Sequence, residues 1–131
     1  MTTNSHTALK PSTLTRAQQI QDDAAKYYFD WPDIEPVFAK LEEEILEFKQ
    51  ALQTGDQSHI QEEIGDILFV CANLARHAKI DAESALQQTN DKFLRRFKFV
   101  VDSMNQANIS FSPEQLSTME NFWQQAKKIT G

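Results

Sequence analysis

The sequence predicts an all-α fold, a bundle of about five helices in a single domain, and three observations carry that expectation. Three glycines and four prolines are spread over 131 residues, too little turn material for a fold of many short strands. Apolar residues recur at the three- and four-residue spacing of a helix face, and no pair of alternating runs is joined by hairpin chemistry. The breaks between periodic stretches are short and carry cap residues, as in helices joined by tight connections. The length is that of one domain able to bury a core without disulfides or structural metal.

Residues 1–12 are polar, lack the apolar segment of a secretory leader, and are expected to form a flexible tail ahead of a domain over 13–131. A first helix is expected from Thr13 to about Tyr28. It ends at Phe29-Asp30-Trp31-Pro32-Asp33, because Pro32 disfavours helical backbone at Trp31. Asp33 is the expected N-cap of a second helix reaching about Thr54, whose buried stripe reads Ile34, Val37, Phe38, Leu41, Ile45, Phe48 and Leu52. Gly55 and Asp56 separate it from a third helix, Ser58 to Lys79, with Ile60, Ile64, Ile67, Leu68, Cys71, Leu74 and Ala78 inward. Asp81 caps a fourth, to about Met104, burying Leu86, Phe93, Phe97, Val100 and Met104. Finally Ser112-Pro113-Glu114-Gln115 combines an N-cap serine, a first-turn proline and a capping-box glutamine ahead of a last helix with Leu116, Met119, Trp123 and Ala126 inward.

The formal charge of −6 repels a polyanion and argues against binding a nucleic-acid polymer through its phosphates. A small phosphorylated ligand stays open, since a bound divalent cation reverses the local sign. The longest apolar run, residues 67–72, is far too short to span a bilayer. Cys71 is the single cysteine and has no partner for an internal disulfide; on its apolar face it is expected to be buried, in a reducing, cytoplasmic setting.

Two acidic faces stand out. At 100° per residue, Lys40, Glu43, Glu44 and Glu47 share one arc beside the apolar stripe of the second helix, and Glu62, Glu63, Asp66, Asn73 and His77 share another on the third. The short connection at Gly55 makes the two helices antiparallel neighbours, so Glu44 and Glu47 come level with Glu63 and Asp66. Carboxylates gathered in this way repel one another unless a cation sits between them. Oxygen-only ligands suit Mg²⁺, Mn²⁺ or Ca²⁺ rather than zinc, and a di-iron site would need Glu-x-x-His where this chain has Glu44-x-x-Glu47 and Glu63-x-x-Asp66. Glutamates on helix surfaces are most often merely solvated, and for Glu42 or Glu62 singly that account stands; it is weaker for two pairs bordering core stripes on consecutive helices. Gly65, inside the third helix, costs about 1 kcal/mol relative to alanine, which a close helix approach beside the acidic faces would explain, as would ordinary packing.

With these residues in view, the sequence resembles the MazG family of all-α nucleoside triphosphate pyrophosphohydrolases. The family signature, Glu-x-x-Glu, a spacer and Glu-x-x-Asp, reads here Glu44-Ile-Leu-Glu47, fifteen intervening residues, then Glu63-Ile-Gly-Asp66. Around it lie Phe29-Asp30-Trp31-Pro32-Asp33, Lys40-Leu-Glu-Glu-Glu, Asn73-Leu-Ala-Arg-His77 and Asn90-Asp-Lys-Phe-Leu-Arg-Arg-Phe97, similar to the carboxy-terminal domain of two-domain members from about Arg16 to Lys127. Tyr28 stands where relatives often have glycine, and only one such domain is present.

The resemblance implies Mg²⁺-dependent hydrolysis of nucleoside triphosphates between the α and β phosphates, with Mn²⁺ a substitute metal and nucleotide-pool housekeeping the role. It implies Glu44, Glu47, Glu63 and Asp66 as metal ligands and leaves Glu43 as candidate general base. Lys40, Lys92, Arg95 and Arg96 become candidate phosphate contacts; Asn73 and Asn90 become candidate contacts to base or sugar; Trp31 is a stacking platform or a hydrophobic plug. His77 is read as structural. A homodimer or larger homo-oligomer is implied, and Leu46, Phe69 and Phe99 lie off the core stripes in keeping with it. Two alternatives remain: phosphoribosyl-ATP pyrophosphohydrolase, which shares fold and signature, and a non-catalytic dimerisation module.

Overall fold

The computed structural model describes residues 10–130, so the expected tail lies outside the described residues up to position 9. The chain is all-α, as the periodicity predicts: α1 Thr13–Ala25, α2 Glu35–Thr54, α3 Gln57–His77, α4 Ala82–Gln106, a 3₁₀ turn Pro113–Gln115, and α5 Leu116–Thr130. No strand occurs among the described residues.

The caps explain where the helices start. The Ser12 hydroxyl accepts from Thr15 N–H at 3.1 Å to open α1, and the Asp56 carboxylate accepts from Ser58 and His59 N–H at the head of α3. Asp81 takes the Ser84 N–H at 3.2 Å at the start of α4. Two expectations are corrected. The cap position of α2 is Ile34, without a side-chain bond, although the Asp33 carboxylate still accepts the Glu35 N–H at 3.0 Å. The capping box at Ser112 does not form: its hydroxyl makes no cap bond, and Gln115 Oε1 instead accepts from the Thr118 hydroxyl, leaving a 3₁₀ turn before α5.

The helix ends share one device, a residue with positive φ just past the last turn. It is Gly55 after α2 (φ 73°), but Tyr28 after α1 (64°), Lys79 after α3 (65°) and Asn108 after α4 (56°). Behind Tyr28, the Phe29 N–H reaches back to the Ala24 carbonyl at 3.2 Å, which closes α1 at Ala25 rather than at the expected Tyr28. At position 28 the chain holds a tyrosine in the left-handed region that glycine occupies without penalty.

The described chain divides after Ala85 into two compact units. In the first, α2 and α3 pack together through the tight connection at Gly55 and Asp56, and α1 packs on α3. Its core is built from small side chains, with Val37, Ala51, Val70, Ala72 and Ala82 buried. The expected stripes are therefore corrected in part: Phe38, Ile45 and Leu52 on α2, and Ile64 and Leu68 on α3, are exposed. An apolar stripe wider than one partner helix can cover leaves one flank open. Cys71, three residues from Leu68, lies on that flank and is exposed rather than buried. At Gly65 an added Cβ would meet nothing within 4 Å, so no close approach among the described residues accounts for it.

The second unit contains the rest of α4, the 3₁₀ turn and α5. Val100, Met104 and Ala126 are buried, and the Phe93 ring lies 5.2 Å from Trp123 and 5.9 Å from Phe97. Leu86, Phe93, Phe97 and Leu116, expected inward, are exposed here too.

Candidate metal centre

The packing of α2 on α3 gathers carboxylates from both helices. Oxygens of Glu44, Glu63 and Asp66 lie within 4.8 Å of one another. Glu44 and Glu63 are 5% and 8% exposed, whereas Asp66 is open to solvent. One oxygen on each buried partner, Glu44 Oε2 and Glu63 Oε2, is sealed from solvent and has no hydrogen-bond partner. A buried charged acceptor left unpaired is costly, and such a pair side by side is costlier still.

The electrostatics carry the same sign. The Glu63 carboxyl titrates above its ordinary value because burial disfavours its charged form, with the Asp66 and Glu44 charges adding to the effect. Glu47, one turn beyond Glu44, is raised by desolvation and then by the Glu44 charge. Lys40 answers from the same helix. Its ammonium lies 2.8 Å from Glu43 Oε2 and 3.2 Å from Glu44 Oε1, contacts that hold its own pKa above the usual lysine value. It leaves the second oxygen of Glu44 unanswered. Buried, mutually repelling, oxygen-only donors from two helices are what a hard divalent cation binds, and the orphaned oxygens fit such an ion.

The other expected site residues fall into separate groups. Glu43 is exposed and ion-paired with Lys40. Asn73 is buried on α3 two turns beyond Asp66, its Oδ1 accepting from Arg76 Nε at 2.9 Å. Trp31, in the connection between α1 and α2, lines an apolar pocket of about 450 Å³ together with Phe29, Phe69 and Asn73. His77 contacts Asp30 at 3.1 Å. Asn90, Lys92, Arg95 and Arg96 lie on the part of α4 that belongs to the second unit, where the Arg96 guanidinium sits 6.0 Å from the Trp123 ring.

Two residues went unremarked in the sequence. His59 is grouped with Glu62 and Glu63, its Nδ1 3.9 Å from Glu62 Oε1. The signal was available, because His59 precedes Glu63 by one helical turn. Arg76 binds Asp30 at 2.6 Å and Asp22 at 3.4 Å, tying α1 and the connection after it to the end of α3. The hydrogen bond from Arg76, outweighing desolvation and helped by His77, holds the Asp30 carboxyl below the usual aspartate value. No helical periodicity announces such a contact, since its partners are 46 and 54 residues away.

Residues 33–101 match the model of the MazG nucleotide pyrophosphohydrolase domain. The chain is 44% identical over 117 residues to a nucleoside triphosphate pyrophosphohydrolase of Escherichia coli (strain K12), covering 88% of this chain and 44% of that protein. It is 36% identical over 114 residues to the nucleoside triphosphate pyrophosphohydrolase/pyrophosphatase MazG of Thermotoga maritima, covering 87% of this chain and 44% of the relative. A Bacillus subtilis protein named only as uncharacterized protein YabN is 38% identical over 72 residues, 55% of this chain and 15% of its own length. The chain thus spans less than half the length of each of these relatives.

Proposed function

Because the chain belongs to the MazG nucleotide pyrophosphohydrolase domain family, we propose that it hydrolyses nucleoside triphosphates between the α and β phosphates, releasing nucleoside monophosphate and pyrophosphate. The observation that carries this reading is the pair of buried, partnerless oxygens, Glu44 Oε2 and Glu63 Oε2, on two residues that with Asp66 bring carboxylate oxygens within 4.8 Å of one another. The names of the E. coli and T. maritima relatives, both nucleoside triphosphate pyrophosphohydrolases, support it.

In this reading Glu44, Glu47, Glu63 and Asp66 hold Mg²⁺, with Mn²⁺ a substitute. The bound metal supplies charge neutralisation and a lowered pKa for its water. Lys40 holds Glu44 and Glu43 in place through its two ion pairs. Glu43 takes the proton of the attacking water, whose oxygen bonds to phosphorus at the α–β linkage as the bridging P–O bond breaks and pyrophosphate departs. Lys92, Arg95 and Arg96 are assigned to the triphosphate charge, and Asn73, Asn90 and Trp31 to the nucleoside. No helix among the described residues is long and apolar enough to cross a membrane. A cytoplasmic setting completes the reading, supported by the free thiol of Cys71.

The test is product analysis with purified protein, Mg²⁺, ordinary, deoxy and oxidised nucleoside triphosphates, and phosphoribosyl-ATP. Monophosphate and pyrophosphate from the nucleotides, lost in Glu47→Gln and Asp66→Asn with helicity retained, is the expected result. Activity confined to phosphoribosyl-ATP would overturn the substrate assignment. No product from any compound, with no metal-dependent nucleotide binding, would leave a dimerisation module.

A homodimer or larger homo-oligomer belongs to the same proposal. It is supported by the exposed apolar side chains of α2 and α3, among them Phe38, Leu46, Leu52 and Leu68. Sedimentation of a single 15 kDa species at micromolar concentration would refute it.

A further inference from the structure

One guanidinium holds together the polar part of the pocket beside Trp31. Arg76, in the last turn of α3, lines that pocket with Asp30, Trp31 and Asn73. Each of its three nitrogens is committed to a protein oxygen: Nε donates to Asn73 Oδ1 at 2.9 Å, Nη2 to Asp30 Oδ1 at 2.6 Å, and Nη1 reaches Asp22 at 3.4 Å. The same Asp30 oxygen accepts the Trp31 backbone N–H at 2.8 Å and meets His77 Nε2 at 3.1 Å. Both short contacts go to residues that line the pocket, whereas the long one goes to the well-exposed Asp22 on α1. The strong links therefore serve the pocket, and the link that fastens α1 to α3 is the weak one.

We propose that Arg76 is a positioning residue for the base of the substrate nucleotide: it fixes Asn73 directly and Trp31 through Asp30, and so sets the walls between which the base seats. The proposal rests on the hydrolase reading above and deepens it. An asparagine amide can turn end for end, and the Nε–H removes that freedom because it pairs only with the carbonyl oxygen. Trp31 lies in a connection that no helix holds, and the Asp30 oxygen that takes its N–H is itself anchored on the guanidinium. Phe29 and Phe69 add aromatic lining to a cavity of about 450 Å³, a size suited to a small ligand. With all three nitrogens engaged, Arg76 acts through the groups it holds rather than by touching the base. Position agrees with this role. Asn73 and Asp66 are seven residues apart on α3, hence on one face and separated by about 10 Å along the axis. A base beside Asn73 thus leaves the sugar and α-phosphate to reach the carboxylates.

The experiment measures kcat/KM of the intact protein with Mg²⁺ on the four common deoxynucleoside triphosphates and on the base-free 1,2-dideoxyribose 5′-triphosphate. The ratio of the best nucleotide to the base-free compound reads what the base contributes, and about tenfold or more is expected in the unsubstituted protein. In Arg76→Lys, which keeps the charge but cannot serve three partners in one plane, that ratio should shrink to about threefold or less, with the loss on the nucleotide entering through KM. A purely structural arginine would lower both substrates alike and leave the ratio where it was, and that result would overturn the proposal. If Arg76→Lys fails to fold by circular dichroism, Asp30→Ala decides by the same ratio, since it removes the oxygen on which the guanidinium and the Trp31 N–H meet. Equal kcat/KM on nucleotide and base-free compound in the unsubstituted protein would also overturn the proposal while leaving the hydrolase reading intact. No hydrolysis of any nucleotide would remove both.

Discussion

Gln18 Oε1 accepts the backbone N–H of Ala82 at 3.1 Å, joining the middle of α1 to the first residue of α4. The same amide donates through Nε2 to the Ala72 carbonyl at 3.1 Å and the Ile80 carbonyl at 3.0 Å. One buried side chain thus satisfies backbone groups at the end of α3, in its reversal, and at the head of α4. Nearby, the Ser12 hydroxyl donates to Glu83 at 2.7 Å, so the cap of α1 is tied to the first turn of α4 as well.

Gln18→Leu is accordingly expected to destabilise the fold by about 2–4 kcal/mol, because two buried hydrogen bonds and one part-buried one to the backbone are lost at once. Urea unfolding checks this: the midpoint should fall while the m-value stays unchanged. A midpoint within error of the unsubstituted protein would mean that the reversal pairs its backbone in another way.

The raised Glu63 titration sets the sign of a second prediction. In metal-free protein the charged carboxylate opposes folding, so Glu63→Gln should raise Tm by a few degrees at neutral pH. Adding Mg²⁺ should raise Tm of the unsubstituted protein and have little effect on the variant, because the ion stabilises only the state that binds it. Equal Mg²⁺-induced shifts in both proteins would exclude Glu63 as a ligand.

Asp30 carries the opposite sign. Its folded pKa lies below the ordinary 3.8, chiefly through the Arg76 hydrogen bond, so its contribution is present in full above that value and is lost as pH falls through the folded one. Asp30→Asn should therefore cost up to about 1 kcal/mol from neutral pH down to the ordinary aspartate range, with the gap closing in stronger acid. Thermal melts at stepped pH read it directly, and a gap that persisted unchanged at the acid end would show that the ion pair is not its source.

Tyr28 has φ 64° and a side chain 95% exposed, so it bears the backbone cost of the left-handed region with little packing in return. Tyr28→Gly should stabilise the protein by about 0.5–1 kcal/mol, the relief at φ exceeding the added flexibility of the unfolded chain. Calorimetry showing a lowered Tm would instead assign the ring a packing role at the pocket it lines.

Local rules carried a good part of this structure. Asp56 and Asp81 open the helices at the breaks they mark, because a cap needs only residues within one turn, while Ser12, expected in the tail, caps α1. The register of the core was less legible. Large residues such as Phe38 and Leu68 dominate the stripes, yet Ala51 and Ala72 are the buried ones, since two helices that approach closely do so over small side chains. The failed capping box at Gln115 belongs with these, because the side chain found Thr118 instead.

By itself the sequence determined the all-α class, the ends of its helices to within a few residues, and the spacing that turns Glu44, Glu63 and Asp66 toward one another, all consequences of helical periodicity and caps. Tertiary structure alone decided which carboxylate oxygens are sealed and unpaired. It also decided that Arg76 fastens Asp30 and that Gln21 Oε1 is sealed from solvent without a partner. The physical reason is common to these three: burial and the choice of a partner depend on residues distant in the chain, and only the packing of α1, α2 and α3 brings them together.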